Sequence, residues 1–177
     1  MPDKQVAKSK PSPSVKRSVI WAAGFYIWDV LIFGLPVIGL GLSFLAFVCY
    51  GLCAIVRLAK QERERAHRYA WRGLIYLVTV AAILSSHNLN LKMGASNADR
   101  IIDAVETFYR DQNRFPEKLE ELVPAYLDSV PRAAVRFNAN AYRYWQEGDR
   151  PQLLWVKVPP YLRAVYDFRS QEWVVFD

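Results

Sequence analysis

ADRIIDAVETFYRDQNRFPEKLEELVPAYLDSVP, the stretch from Ala98 to Pro131, decides the fold of this chain. Apolar side chains recur in its first half at steps of three and four, and charged side chains fill the positions between them. The spacing predicts an amphipathic α-helix over residues 98–112 with one apolar stripe. The stripe consists of Ala98, Ile101, Ile102, Val105, Phe108 and Tyr109. Because an isolated helix of this length is only marginally stable in water, the stripe must pack on another element.

The chain after this helix supplies that element. Residues 113–116, Asn-Arg-Phe-Pro, form a stop signal, and a short helix is predicted from Pro116 onwards. Its inward-facing side chains are Leu119, Leu122 and Val123. Four segments suited to β-strands follow, with turn residues between them. They are Ala141–Trp145, Leu153–Val158, Leu162–Phe168 and Trp173–Phe176. Residues 95–177 are therefore predicted to be an α+β domain whose long helix covers one face of a four-stranded antiparallel sheet.

The first half of the chain is almost entirely apolar. Between residues 18 and 56 only Asp29 is charged, and residues 73–91 form a further apolar stretch. A transmembrane helix needs about 20 apolar residues, so residues 18–56 can hold two short spans and residues 73–91 can hold one. Gly34-Leu35-Pro36 disfavours helical geometry near the middle of the first stretch, which favours a membrane hairpin. One long broken span is the alternative.

The distribution of charge predicts the orientation in the membrane. Residues 1–92 carry 12 Lys and Arg against 4 Asp and Glu, whereas residues 93–177 carry 11 against 13. The excess lies in a tail, residues 1–17, predicted to be disordered, and in a connector, residues 57–72, which are therefore cytoplasmic flanks. Residues 73–91 then carry the α+β domain into the periplasm of a bacterium. Nucleic-acid binding is not expected, because no basic face is interleaved with exposed aromatic side chains.

Residues 95–177 also resemble a known family. The amphipathic helix ends in FYRDQNRFP (residues 108–116), LEELVPAYL (residues 119–127) follows, and the last predicted hairpin contains VYDFRSQEW (residues 165–173). This order, after a membrane helix, resembles the globular part of type IV pilin-like proteins, especially the major pseudopilin of type II secretion. The resemblance implies a pilin-like helix-on-sheet fold and contacts with pilin-like or secretion components.

The membrane part departs from the pattern of that family. Pilins begin with a hydrophilic leader, a glycine at which the leader is cleaved, and an apolar helix with Glu at its fifth position. Residues 24–29, Gly-Phe-Tyr-Ile-Trp-Asp, have this spacing with Asp in place of Glu, but apolar residues 19–23 precede the glycine. We therefore expect a pilin-like domain fused to a non-pilin membrane anchor. A processed pseudopilin is the alternative.

Asp29 is the candidate intramembrane functional residue. A carboxylate within an apolar span is costly and usually faces a protein interior or a water path. If the helix is tilted, the same side chain lies near the lipid headgroups instead. Catalytic, cofactor and metal sites are not predicted, since His67 and His87 have no Cys, His or Asp partner at ligand spacing.

Aromatic side chains alternate along the predicted strands. Most are expected to form the core with Phe108 and Tyr109, while a surplus on the outer face of the sheet would bind a partner. The candidate partner surface is Tyr144, Trp155, Tyr161 and Trp173.

These features predict a non-enzymatic inner-membrane protein with three membrane segments. Its periplasmic domain would present a surface to other envelope proteins, and its remaining partners would be membrane lipids. A small membrane transporter or enzyme subunit centred on Asp29 is the second hypothesis.

Overall fold

The computed structural model describes residues 13–33, 37–135, 142–147, 150–158 and 162–176. The chain is helix-rich and contains one four-stranded antiparallel sheet. It divides into two compact units. Within the described ranges, the helical unit comprises residues 13–27 and 37–82, and the α+β unit comprises residues 28–33 and those from 83 onwards.

Three helices build the helical unit. Helix α1 runs from Pro13 to Tyr26 and α2 from Ile38 to Ala59, and α3 begins at Arg63. Residues 13–17 are thus helical, although the sequence predicted disorder there; the rest of the predicted tail and the predicted break at residues 34–36 lie outside the described residues.

A tight turn joins α2 to α3. Gln61 has a positive φ of 57°, and the Glu62 backbone N–H donates to the Arg57 carbonyl. The Glu62 carbonyl in turn accepts from the N–H groups of Arg65 and Ala66, which starts α3. The predicted connector at residues 57–72 therefore consists of the end of α2, this turn and the start of α3.

Helix α3 is longer than the sequence predicted. It continues from Arg63 to Gln112, 50 residues, where a separate membrane span (residues 73–91) and domain helix (residues 98–112) were expected. Residues 92–97, which lie between those two predicted helices, are helical. Gly94 lies in this segment, and a Cβ at that position would come within 2.6 Å of the Trp155 ring. The lack of a side chain therefore lets the helix pack closely against Trp155.

The apolar stripe of α3 forms the core of the α+β unit, as predicted. Ala98, Ile101 and Val105 are fully buried, and Phe108 packs edge-on against Tyr126. Tyr109 was predicted to belong to the stripe but is exposed, where it stacks on Phe115 with the ring centroids 4.3 Å apart.

The segment after α3 contains a short 3₁₀-helix from Leu119 to Leu122, rather than a helix beginning at Pro116. Leu119 and Leu122 are buried as predicted, and Val123 packs against the same core. A partly exposed ion pair between Arg114 and Glu121, 3.1 Å long, links the chain before the 3₁₀-helix to the helix itself.

The sheet is an antiparallel meander with the strand order β1-β2-β3-β4. Strand β1 is Arg143–Glu147, β2 is Arg150–Val158, β3 is Leu162–Asp167 and β4 is Glu172–Phe176. Among the described residues, the four antiparallel strands agree with the prediction. Strand β2 begins three residues earlier than predicted, and the predicted start of β1 at Ala141 lies outside the described residues. In the turn between β3 and β4 the Asp167 carboxylate accepts hydrogen bonds from the Arg169 and Ser170 N–H groups.

Candidate functional site

The strand register divides the side chains of the sheet between two faces. Tyr144 lies opposite Leu153, Leu153 opposite Tyr166, and Tyr166 opposite Trp173. Because directly opposed residues share a face, these four form one row. Leu153 and Tyr166 are buried in the same core as the α3 stripe, so this row faces the helix.

Three of the four aromatic residues predicted as a partner surface therefore lie on the inner face. Trp155 is buried beside Gly94, and Tyr144 and Trp173 are half-buried against the core. Tyr161 lies outside the described residues. The prediction is corrected for Tyr144, Trp155 and Trp173, because it used aromatic character without the register that assigns each residue to a face.

Two tyrosines show how tightly the inner face packs. The Tyr142 hydroxyl donates a hydrogen bond to the Gly94 carbonyl of α3. Burial raises the pKa of Tyr142, and the Asp99 carboxylate raises it further. Burial likewise raises the pKa of Tyr144, with a smaller contribution from Glu121. In the described part of the chain the buried Tyr144 hydroxyl has no hydrogen-bond partner.

The opposite face of the sheet carries a second apolar set. Leu154 lies between Arg143 and Val165 on the neighbouring strands, and Val165 lies opposite Val174. We define the outer sheet face by the side chains of Trp145, Leu154, Val156, Val165, Val174 and Phe176. Val174 is 46% exposed and Phe176 52% exposed, and the other four are half-buried. Sequence reasoning missed these residues, although they alternate with the core positions along each strand.

The outer sheet face also carries charged side chains. Arg143 and Arg163 lie within its rows, while Asp167 and Glu172 oppose one another at the end that contains Trp145. An apolar centre with arginine and aromatic side chains is the usual composition of a protein–protein contact.

Strand β4 forms one edge of this sheet. It pairs with β3, and among the described residues nothing pairs with its other side. An exposed apolar edge strand readily accepts an added strand from another chain. The outer sheet face and the β4 edge therefore form one continuous candidate contact surface.

Asp29 occupies a different setting. It is 2% exposed and lies in a π-helix, Ile27–Phe33, of which residues 28–33 belong to the α+β unit. A buried carboxylate in a π-helical segment is a combination that recurs at functional sites.

Within the described residues, no three His, Cys, Asp or Glu side chains lie close enough to hold a metal ion. Comparison of the chain with protein-family models, curated proteins and solved structures gives no match.

Proposed function

We propose that this chain is a non-enzymatic protein of the bacterial inner membrane whose C-terminal α+β unit docks another envelope protein. The outer sheet face and the β4 edge are the docking surface. The observation that carries the proposal is the exposure of Val174 and Phe176 on a sheet whose other face is already packed against α3.

The membrane placement is supported by the apolar surface of the helices. Helices α2 and α3 are each long and apolar enough to span a membrane. Only 11% of the most apolar part of α2 is buried within the protein, and 17% of that of α3. Exposed apolar helices with all backbone groups paired internally are suited to lipid.

The orientation is supported by charge. The basic residues at the turn between α2 and α3 favour a cytoplasmic location for that turn. The second half of α3 then leads to the α+β unit on the periplasmic side. Reporter enzymes fused after Asp177 test this orientation: a reporter active only outside the cytoplasm should work, and a cytosol-dependent one should be silent.

The docking surface is tested by photo-crosslinking in intact cells. A photoreactive amino acid replaces Val174 in one variant and Arg110, an exposed residue of α3, in the matched control. We expect a crosslink from position 174 to a different envelope protein and none of that mass from position 110. Equal crosslinking from both positions, or a crosslink only to a second copy of this chain, contradicts the proposal.

The class of partner follows from the family resemblance. A pilin-like α+β unit fits a partner that is itself pilin-like or belongs to a secretion complex. Mass spectrometry of the crosslinked product tests this part separately. A processed pseudopilin predicts instead a mature N-terminus at Phe25, which sequencing of the membrane-extracted protein would reveal.

A transporter or enzyme subunit centred on Asp29 is the second candidate, favoured by the burial of that carboxylate. The isosteric variant Asp29→Asn separates the two hypotheses. Both kinds of protein should keep the crosslink at position 174 in this variant. A docking protein should also still support growth like the wild type in cells that require the chain, whereas a proton-dependent transporter or enzyme subunit should not.

A further inference from the structure

Four guanidinium groups converge where α2 ends and α3 begins. Arg57, Arg65, Arg68 and Arg72, together with Tyr69, line a cavity of about 260 Å³. The three arginines of α3 are spaced three and four residues apart, which places them on one side of the helix. Arg57 joins them from the last turn of α2.

The positive charge of this arginine pocket is only partly neutralised. The Glu62 carboxylate pairs with Arg57 at 2.9 Å and with Arg65 at 3.0 Å. Among the described residues, neither Arg68 nor Arg72 forms a salt bridge with a carboxylate. Four guanidinium groups against one carboxylate leave a net charge of +3.

Arg72 is held in place by aromatic rings. Its guanidinium carbon lies 5.5 Å from the centre of the Tyr50 ring and 5.9 Å from that of Tyr69. Its Nε is buried and has no hydrogen-bond partner in the described part of the chain. A buried charged donor without an acceptor is costly, and an anionic oxygen bound in the pocket would satisfy it.

The chemistry of the pocket points to a phosphate group. Guanidinium groups present paired donors that match two phosphate oxygens at once, and rings stacked on them fix their orientation.

We propose that the arginine pocket binds the phosphate of an anionic phospholipid. The pocket lies at the end of two apolar helices, and Tyr50 and Tyr69 are residues typical of the membrane–water interface. Anionic headgroups are enriched on the cytoplasmic side of the inner membrane. The choice of a lipid rests on the proposed membrane placement, whereas recognition of phosphate does not.

Native mass spectrometry of the full chain, delipidated in a neutral detergent, tests the proposal. Phosphatidylglycerol, phosphatidylcholine and pyrophosphate are titrated separately. We expect phosphatidylglycerol to bind at least about tenfold more tightly than phosphatidylcholine, as charge-assisted hydrogen bonds allow. Pyrophosphate should compete with phosphatidylglycerol for the same site. Equal affinity for the two lipids would overturn the proposal.

Two matched variants locate the binding site. Arg68 and Arg63 are both exposed residues of α3, and only Arg68 lines the pocket. Arg68→Gln should weaken phosphatidylglycerol binding about tenfold, and Arg63→Gln, with the same change in charge, should leave it within about twofold. Similar losses in both variants would mean that only net charge attracts the lipid, and would overturn the assignment of the arginine pocket as the binding site.

A third variant tests the geometry of recognition. Arg68→Lys keeps the charge and loses the paired donors, so its affinity should lie between those of the wild type and Arg68→Gln. Unchanged affinity in Arg68→Lys would contradict paired recognition. Binding of pyrophosphate in the absence of phosphatidylglycerol binding would overturn the lipid assignment without affecting the docking surface of the α+β unit.

Discussion

The two units of this chain use apolar side chains in opposite ways. In the helical unit α2 turns most of them outward, and Ile55 is 65% exposed. In the α+β unit the same residue type at position 101 of α3 is fully buried beneath the sheet. Apolar content alone therefore does not distinguish a core residue from one on an exposed helix face. The fraction buried within the protein does: among the described residues, the α3 stripe is buried in the core of the α+β unit, whereas most apolar side chains of α2 are exposed.

The largest expected effect on stability is the difference between alanine substitutions at Ile101 and at Ile55. Ile101→Ala removes fully buried methyl and methylene groups and should lower the free energy of opening the sheet by about 2–5 kcal/mol. Ile55→Ala should leave that free energy unchanged, since its side chain is exposed on α2. Hydrogen exchange of the β2 amides in the full chain, in detergent, measures both. Equal losses of protection would remove the distinction between the units.

Replacing a glycine by alanine is expected to have opposite effects on stability in the two units. In Gly94→Ala the new Cβ would lie 2.7 Å from the Ala133 carbonyl oxygen as well as against the Trp155 ring. The strain should destabilise the α+β unit by about 1–3 kcal/mol. In the described residues nothing lies within 4 Å of a Cβ at Gly41, so Gly41→Ala should stabilise α2 by about 0.5–1 kcal/mol through helix propensity. Hydrogen exchange of β2 and of α2 reports each effect, and a neutral Gly94→Ala would contradict the close packing.

Two tyrosines test how the inner sheet face is fixed to α3. Tyr142→Phe loses the hydrogen bond to Gly94 and should cost about 0.5–1.5 kcal/mol. Tyr144→Phe removes a buried hydroxyl that has no partner among the described residues, so it should be neutral or stabilising. The midpoint of chemical unfolding, followed by tryptophan fluorescence, compares them. The reverse order would contradict the assigned hydrogen bond.

The same tyrosines should make the stability of the α+β unit depend on pH in the alkaline range and not near neutral pH. Their folded-state pKa lies above the unfolded value, so their contribution to stability is fully present below about pH 10 and is lost as the pH rises further. Absorbance of the phenolate at 295 nm should therefore rise together with loss of the sheet signal in circular dichroism. Ionisation of all tyrosines before any loss of the sheet would contradict this coupling.

Much of the α+β unit could be predicted from sequence. The spacing of Ile101, Ile102 and Val105 identified the face of α3 that packs, and the turn residues separated four strands correctly. The continuity of α3 through residues 92–97 could not be predicted. Gly94 lies against the Trp155 ring, a contact that spans 61 positions of the sequence and that helical spacing does not reveal.

The candidate sites were harder to predict, since they depend on register and on helix pairing. Whether Trp155 or Leu154 faces outward changes with a shift of one residue, and sequence alone does not fix that shift. The basic residues at 57–72 were recognised as a charge signal. Their convergence required the turn at Gln61, which brings Arg57 beside the arginines of α3.

The most direct test of the contrast between the units uses the two native cysteines. Cys49 and Cys53 are the only cysteines of the chain, and both are exposed on α2. A water-soluble maleimide should fail to label them in intact membranes and should label them after denaturation in detergent, while a cysteine appended after Asp177 should be labelled from outside intact spheroplasts. Rapid labelling of Cys49 and Cys53 in intact membranes would contradict a lipid-facing α2.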